Sequence, residues 1–382
     1  MYNGRMKIAI DASRYGGSEA TGVENYSFHI INSLIGNFAG SSKDRIVLYS
    51  REAIFPKMKV AKNIENRVLK TRRFWTLWAL SKEMQHDRPD VLFVPSHVFP
   101  LSLAKKNYIT IHDVAFRYLR SSYSFFQYHY LNWSTKVAVK KATKIIVPSK
   151  ATAKDLVRFY KCPKKKIVVI PHGFAKPRLD KAHLDNLFEF SEIFKYFGIN
   201  EKLKYVFFVG RLESKKNLVR LVEAFAEFAE DHEDFKLVMA GKPGVGFDKI
   251  LKKIQELKVA DKVVLPGYVT EGEKAALMKN CQIFAFPSLY EGFGLPLLEA
   301  FYYEKPVLCS NSSSLPEVGG KAVHYVDPLK VRDMAEGFKK LSDDRKYAGR
   351  LVAKGRERLH HFTWEKAARK TSKVLHGFDT TF

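Results

Sequence analysis

Glu291 and Glu299 stand with seven residues between them in PSLYEGFGLPLLEAF, residues 287–301. Glu291 lies in a Gly-rich turn, EGFG, and Glu299 in LLEAF, a run of good helix formers behind Pro296, which suits a first helical turn. The preceding QIFAFPS is a short apolar run ending in Pro and reads as a buried strand. Strand, Gly turn and helix leave the amides of Phe293, Gly294 and Leu295 at a helix N-terminus, where an anion is held. Gly292 and Gly294 allow close backbone approach, and Glu299 sits one turn in, on roughly the face of Leu295. The set suits a ligand with a phosphate in its middle and hydroxyls at both ends. Taken alone, a strand–turn–helix with two acids is common in α/β proteins.

The surrounding elements alternate. KIAIDAS (7–13) is a strand that enters a loop with Gly16, Gly17 and Gly22, followed by helical spacing in VENYSFHIINSLIGNF. The loop is not GxGxxG, so no dinucleotide fingerprint is present. DRIVLYS (44–50), PDVLFVPS (89–96) and NYITIHDVAF (107–116) are further strands, the last ending in His112–Asp113. KIIVPSKATAKDLVRFY (144–160) is strand, turn and helix, capped by Ser149 or Thr152, and CPKKKIVVIPHGF (162–174) is another strand. Residues 175–203 are charged and irregular. YVFFVG then opens a second alternating block, with Arg211 and Lys216 directly after the strand and an amphipathic helix behind them. FKLVMAGKPG, DKVVLPGYV and KPVLCS are strands of that block, and TWEKAARKTSKVLHGF (363–378) is a final helix. Two such blocks imply two Rossmann-like domains, and ligands of such sheets bind beyond the carboxyl ends of the strands.

A chain of 382 residues, 46% hydrophobic and 27% charged, has the composition of a globular protein with two cores. It has no apolar run of eighteen, and MYNGRMKIAIDAS has neither a long apolar core nor a small-residue cleavage site, so neither a spanning helix nor a signal peptide is expected. Cys162, Cys281 and Cys309 are far apart and form no CxxC, which supports neither a disulfide framework nor a zinc site and fits a reducing cytoplasm. The charge of +25 is uneven: residues 1–171 hold 30 Lys and Arg against 11 Asp and Glu, residues 172–382 hold 35 against 29. An anionic partner of the N-terminal half follows, a membrane surface, lipid phosphate or polyanion. Two stretches are basic and aromatic: RRFWTLWALSKEMQ (72–85), either a membrane-surface helix or a core helix, and 118–144, either an acceptor or membrane-adjacent surface or a helix packing its aromatics inward. No helix-turn-helix, RNP or zinc pattern appears, so a nucleic-acid partner is not expected.

FVGRLESKKN, PSLYEGFGLPLLEAF and SSLPEV, in this order and with His112–Asp113 and PHGF ahead of them, resemble the retaining glycosyltransferases of family four, and among them bacterial mannosyltransferase-like members that build polysaccharide or lipopolysaccharide. The resemblance implies a GT-B fold, α/β with two facing Rossmann-like domains and an interdomain cleft. It divides the chain into an acceptor domain (1–174), a linker (175–203) and a donor domain (204–362), with the C-terminal helix (363–382) packing back on the first. It implies that Arg211 and Lys216 hold the donor diphosphate, which agrees with the need for fixed cations at a leaving group that gains negative charge. Glu291 then binds sugar hydroxyls near the anomeric carbon, with Glu299 on the ribose and Phe293, Gly294 and Leu295 on the phosphates. Tyr268 and Val269 lie at the nucleobase. His112 donates to a sugar hydroxyl or polarises the reacting centre; Asp113 orients it or binds acceptor. Gly17 approaches the donor and Gly16 the acceptor. GDP-mannose is the first donor expected, UDP-glucose or UDP-N-acetylglucosamine the next, and a nucleotide-sugar epimerase shares the fold. The acceptor is a glycan or lipid-linked glycan, and the protein is expected in the cytoplasm or peripherally on the inner face of the cytoplasmic membrane. No Asp-x-Asp occurs, so neither a metal nor any other cofactor is expected.

Overall fold

The computed structural model describes residues 5–16, 22–39, 43–54, 61–71, 74–177 and 203–378. The chain separates into two compact units, one of Met1–Tyr118, Ser124–Ala175 and Phe362–Phe382, the other of Leu119–Tyr123 and Lys176–His361. The expected linker falls almost wholly outside the described residues.

The first unit is a seven-stranded parallel sheet in the order β3-β2-β1-β4-β5-β6-β7. Its strands are β1 (Lys7–Asp11), β2 (Arg45–Ser50), β3 (Ile64–Val68), β4 (Val91–Val94), β5 (Lys106–Thr110), β6 (Lys144–Val147) and β7 (Ile167–Val169), and its helices in this part of the chain are α1 (Gly22–Ala39), α2 (Ser81–Asp87), α3 (Phe125–Lys141) and α4 (Lys150–Tyr160). Central strands such as VLFV at β4 are apolar throughout because helices cover both faces of the sheet. Ser149 is the cap of α4, its Oγ accepting from Thr152 N at 3.1 Å. β3 carries no apolar run and was not anticipated. It is an edge strand, IENRV, whose Glu65 pairs with Arg45 of β2 at 2.8 Å. Charged side chains of this kind keep an open edge from pairing further.

Residues 75–80 form a single π-helical stretch that runs into α2. Trp75, Leu80 and Met84 are buried, whereas Phe74 and Trp78 are 66% and 73% exposed. The segment is anchored in the core on one side and offers two aromatics to solvent; Arg72 and Arg73, which made it look basic, lie outside the described residues.

The second unit is a six-stranded parallel sheet, β10-β9-β8-β11-β12-β13. Its strands are β8 (Lys204–Val209), β9 (Phe235–Ala240), β10 (Val263–Gly267), β11 (Ile283–Phe286), β12 (Val307–Ser310) and β13 (His324–Val326). Its helices are α5 (Leu218–Asp231), α6 (Phe247–Glu256), α7 (Glu271–Asn280), α8 (Leu295–Tyr302), α9 (Leu315–Gly319), α10 (Val331–Asp343) and α11 (Arg345–Leu359). Both sheets start in the middle, wind outward on one side and then on the other. The strand order therefore reverses between β1 and β4 and again between β8 and β11, where loops leaving the carboxyl ends diverge and open a crevice.

The last helix, α12 (Trp364–Leu375), belongs to the first unit. Trp364, Ala367, Ala368, Val374 and Leu375 join Ile8, Ile10, Ile30 and Leu34 in one apolar core. Phe174 N donates to Phe362 O at 2.9 Å beside Gly173, where an added Cβ would lie 2.2 Å from Trp364 N. Only glycine fits that approach.

Candidate functional site

In the second unit the crevice between β8 and β11 gathers charged groups. β8 ends at Val209 and the chain turns through a 3₁₀ stretch, Ser214–Lys216, into α5. Asn217 makes the turn in the left-handed region, φ 61°, and its Nδ2 donates to Pro328 O at 2.6 Å. This pins Lys216, whose Nζ lies 2.5 Å from Glu291 Oε1. Both side chains are close to nine-tenths buried, at 13% and 12% exposure. An ion pair there costs desolvation, and its geometry must offset that cost. Arg211 is exposed and forms no ion pair among the described residues. Gly244 gives it room: an added Cβ there would stand 3.1 Å from Arg211 Cγ.

The Glu291 turn is strapped from below by a serine run. Glu291 N donates to Ser313 Oγ at 2.8 Å, and Ser314 Oγ lies 2.9 Å from the carbonyls of both Glu291 and Phe293. Ser310 and Ser312 hold Ser288 O in the same way, at 2.6 and 3.0 Å. Gly294 then opens α8 at φ +110°, and an added Cβ would meet Leu315 Cδ2 at 2.8 Å. Leu295 is the first helical residue and Pro296 follows in the first turn. Phe293 is buried, so what it can offer a ligand is backbone.

Glu299 is paired with a different lysine, one the sequence did not announce. Lys274 of α7 places Nζ 3.1 Å from Glu299 Oε1 and 2.9 Å from Glu271 Oε2. Burial opposes the charge on Lys274, yet Glu299 and Glu271 hold its pKa above the ordinary lysine value. Each of the two glutamates thus has its own lysine. Tyr268, half exposed after β10, has Lys242 Nζ 4.6 Å from its ring centre. Val269, the next residue, is buried.

The crevice of the first unit is different. His112 follows β5, is 8% exposed, and has Nε2 2.9 Å from Pro95 O. A carbonyl only accepts, so Nε2 carries the proton. Burial, then the charge of His97, lowers the ring's pKa to about 4, so it is neutral near pH 7. The donation to a sugar hydroxyl read from the sequence has no proton left to make it: the free function of this tautomer is acceptance at Nδ1. Tyr26 and His172 pack around it at 4.7 and 5.5 Å, and burial, then His112, keeps His172 well below the usual histidine pKa. Asp113 Oδ1 accepts from Ala115 N at 3.0 Å, and its carbonyl faces His97 Nε2 at 3.0 Å, so its carboxylate shapes the turn after β5. Asp11 at the end of β1 is buried and was also missed; desolvation raises its pKa while Ser13 lowers it. Gly16 is half-buried behind it, and Gly17 lies outside the described residues.

The family model described as Glycosyl transferases group 1 matches residues 189–358, and that described as Glycosyltransferase Family 4 matches 47–175. The O-antigen chain mannosyltransferase B of Escherichia coli is 24% identical over 306 residues, covering 80% of this chain and 77% of its own. Sucrose-phosphate synthase from Thermosynechococcus elongatus superposes with a TM-score of 0.72 at 18% identity, over 97% of this chain and 98% of its own. HepE of Anabaena, solved in complex with UDP and glucose, gives 0.70 at 16% identity, over 97% and 100%. At these identities the two solved structures establish a shared fold.

Proposed function

The chain belongs to the group 1 and family 4 glycosyltransferases and has their GT-B fold, and on that premise we propose that it is a retaining hexosyltransferase that moves mannose from GDP-mannose to a glycan or lipid-linked glycan in bacterial surface polysaccharide synthesis, at the inner face of the cytoplasmic membrane. The observation that carries the donor site is the Lys216–Glu291 pair, 2.5 Å apart at the point where the strand order reverses. Each partner neutralises the other until a donor arrives. A diphosphate then takes Lys216, and the released carboxylate of Glu291 accepts hydrogen bonds from the sugar hydroxyls. Arg211 supplies the second cation, and the amides at the start of α8 a third contact. Glu299, held by Lys274, takes the ribose hydroxyls. His112 offers Nδ1 to a hydroxyl on the acceptor side.

In the reaction, the bond from the anomeric carbon to the diphosphate oxygen breaks and the diphosphate leaves with the electron pair. The acceptor hydroxyl attacks from the same face, and its proton passes to the departing phosphate oxygen. The developing charge falls on Arg211 and Lys216, so no metal and no other cofactor enters this reading. The mannosyl donor is supported by the Escherichia coli relative. A UDP-sugar donor is the second reading, supported by the UDP and glucose in HepE.

Thermal shift with GDP-mannose, UDP-glucose and UDP-N-acetylglucosamine tests the donor. One of them stabilises the wild type, and Arg211→Ala abolishes the shift. A shift that survives Arg211→Ala, or none with any donor, overturns the assignment.

A further inference from the structure

Helix α3 is built inside out. Its fully buried residues are small or polar, Ser134, Thr135 and Ala138, and of its aromatics Tyr128 packs on buried Phe116. The hydroxyls of Ser134 and Thr135 are satisfied within the helix, both donating to Leu131 O at 3.0 and 2.7 Å. The large apolar groups point out: Phe126 is 83% exposed, and Phe125, Tyr130 and Trp133 are exposed as well. A helix of a globular protein normally buries such residues and shows its polar ones. Phe126, Trp133 and Lys140 are seven positions apart, so they line one face over about 20 Å, with Lys136 beside them. The face therefore changes along its axis from aromatic in the first turns to cationic in the last. A capping box between Ser124 and Gln127 fixes the aromatic end as regular helix. Around it the chain is strongly basic: residues 117–166 hold thirteen Lys and Arg and one acid, Asp155.

We propose that this face of α3 seats on an anionic lipid bilayer, with Phe126 and Trp133 at the depth of the acyl boundary and Lys136 and Lys140 at the lipid phosphates. The indole of Trp133 with its N–H favours that boundary, the phenyl ring of Phe126 adds apolar area to bury, and basic groups beside them add attraction to acidic headgroups. A second copy of the chain would bring two basic surfaces together and is disfavoured by charge. A single-stranded nucleic acid is better served by cations and rings interleaved along a groove than by their separation along one helix. The proposal deepens the lipid-linked acceptor reading: it names the element that brings the enzyme to the membrane. No helix among the described residues is long and apolar enough to cross a bilayer, so attachment through α3 is lateral.

The test is flotation of the full chain with vesicles of phosphatidylcholine, with and without phosphatidylglycerol. The wild type binds the acidic vesicles at least about tenfold more tightly. Phe126→Ser with Trp133→Ser weakens that binding by about a hundredfold, since two buried aromatics are lost. Lys136→Glu with Lys140→Glu removes the preference for acidic lipid. Phe74→Ser with Trp78→Ser, on the π-helical stretch, leaves binding as it was. Melting temperature and hydrolysis of a soluble nucleotide sugar stay at wild-type values in the α3 variants, which shows that they are folded. Equal binding to both vesicles, undiminished binding by the Phe126/Trp133 variant, or transfer of the loss to the Phe74/Trp78 variant overturns the proposal. So does a wild-type dimer in solution that the Phe126/Trp133 variant dissolves. Vesicle binding without any nucleotide-sugar turnover leaves α3 standing and removes the donor reading; turnover without vesicle binding does the reverse.

Discussion

The two units share one winding and differ in what they put at its reversal. At the β8/β11 crevice stand a paired lysine and glutamate, with a second such pair one helix away. At the β1/β4 crevice and the strand ends beside it stand a neutral histidine, a second buried histidine and a carboxyl group whose pKa burial raises. One crevice stores charge in pairs that an anionic ligand can split; the other surrounds its buried ionisable groups with an environment that opposes their charged forms. Within the proposed reaction that division is useful. A departing diphosphate needs fixed cations, whereas an attacking hydroxyl is best aligned by groups that neither repel nor protonate it.

The contrast breaks first at Lys216. Lys216→Ala takes the ion-pair partner from Glu291 and removes a diphosphate cation, so transition-state stabilisation falls by about 2–4 kcal/mol, read from kcat/KM for release of nucleoside diphosphate. Near-normal turnover would mean that the pair is structural. The crevice of the first unit is probed by pH. His112 has a folded pKa of about 4 against an ordinary 6.5, so the unfolded chain binds the extra proton between those values. Its contribution is whole above pH 6.5 and drains as pH falls toward 4, about 2 kcal/mol gone by pH 5. His172 acts in the same direction. Thermal melts from pH 7 to 4.5 should be flatter for His112→Gln than for the wild type; parallel curves would show that the ring is not held neutral. Lys274 sharpens the comparison within the second unit. Lys274→Met raises the donor KM about tenfold and leaves kcat within about twofold, and Lys274→Arg restores it, because Glu299 is asked to bind and not to react. A fall in kcat alone would move Lys274 to the reacting centre. Smallest of all, a chelator leaves the rate unchanged under the metal-free reading; loss of activity restored only by an added divalent ion would end that reading.

Much of the fold was readable because its signals are local. Apolar runs bounded by Gly, Pro or polar turns marked most strands, and Gly294, Pro296 and LLEAF marked the turn and helix of α8. Arg211, Lys216 and Glu291 lie in turns that follow such strands, and it was the resemblance of those turns to the family's motifs that singled them out. β3 was unreadable because IENRV has the composition of a loop and becomes a strand only through β2. Lys274 is one polar residue of an ordinary helix, and nothing near it in sequence announces Glu299, 25 positions on. The tautomer of His112 depends on Pro95 O, a backbone atom 17 positions away. α3 left two readings open, aromatics inward or outward, since either can be written at helical spacing; only the buried Ser134, Thr135 and Ala138 decide between them.

The return of α12 to the first core has a consequence for how the protein is made. That core draws on Ile8, Ile10, Ile30 and Leu34 from the start of the chain and on Trp364, Ala368 and Leu375 from its end. On a ribosome adding about 5–20 residues per second, the strands β1 to β7 wait roughly 10–40 s for the helix that seals them. The second unit, apart from one short segment continuous from Lys176 to His361, has all its strands before that helix exists. The domain synthesised first is thus the one finished last, with an open apolar face through the interval in which a nascent chain is most exposed to chaperones and proteases.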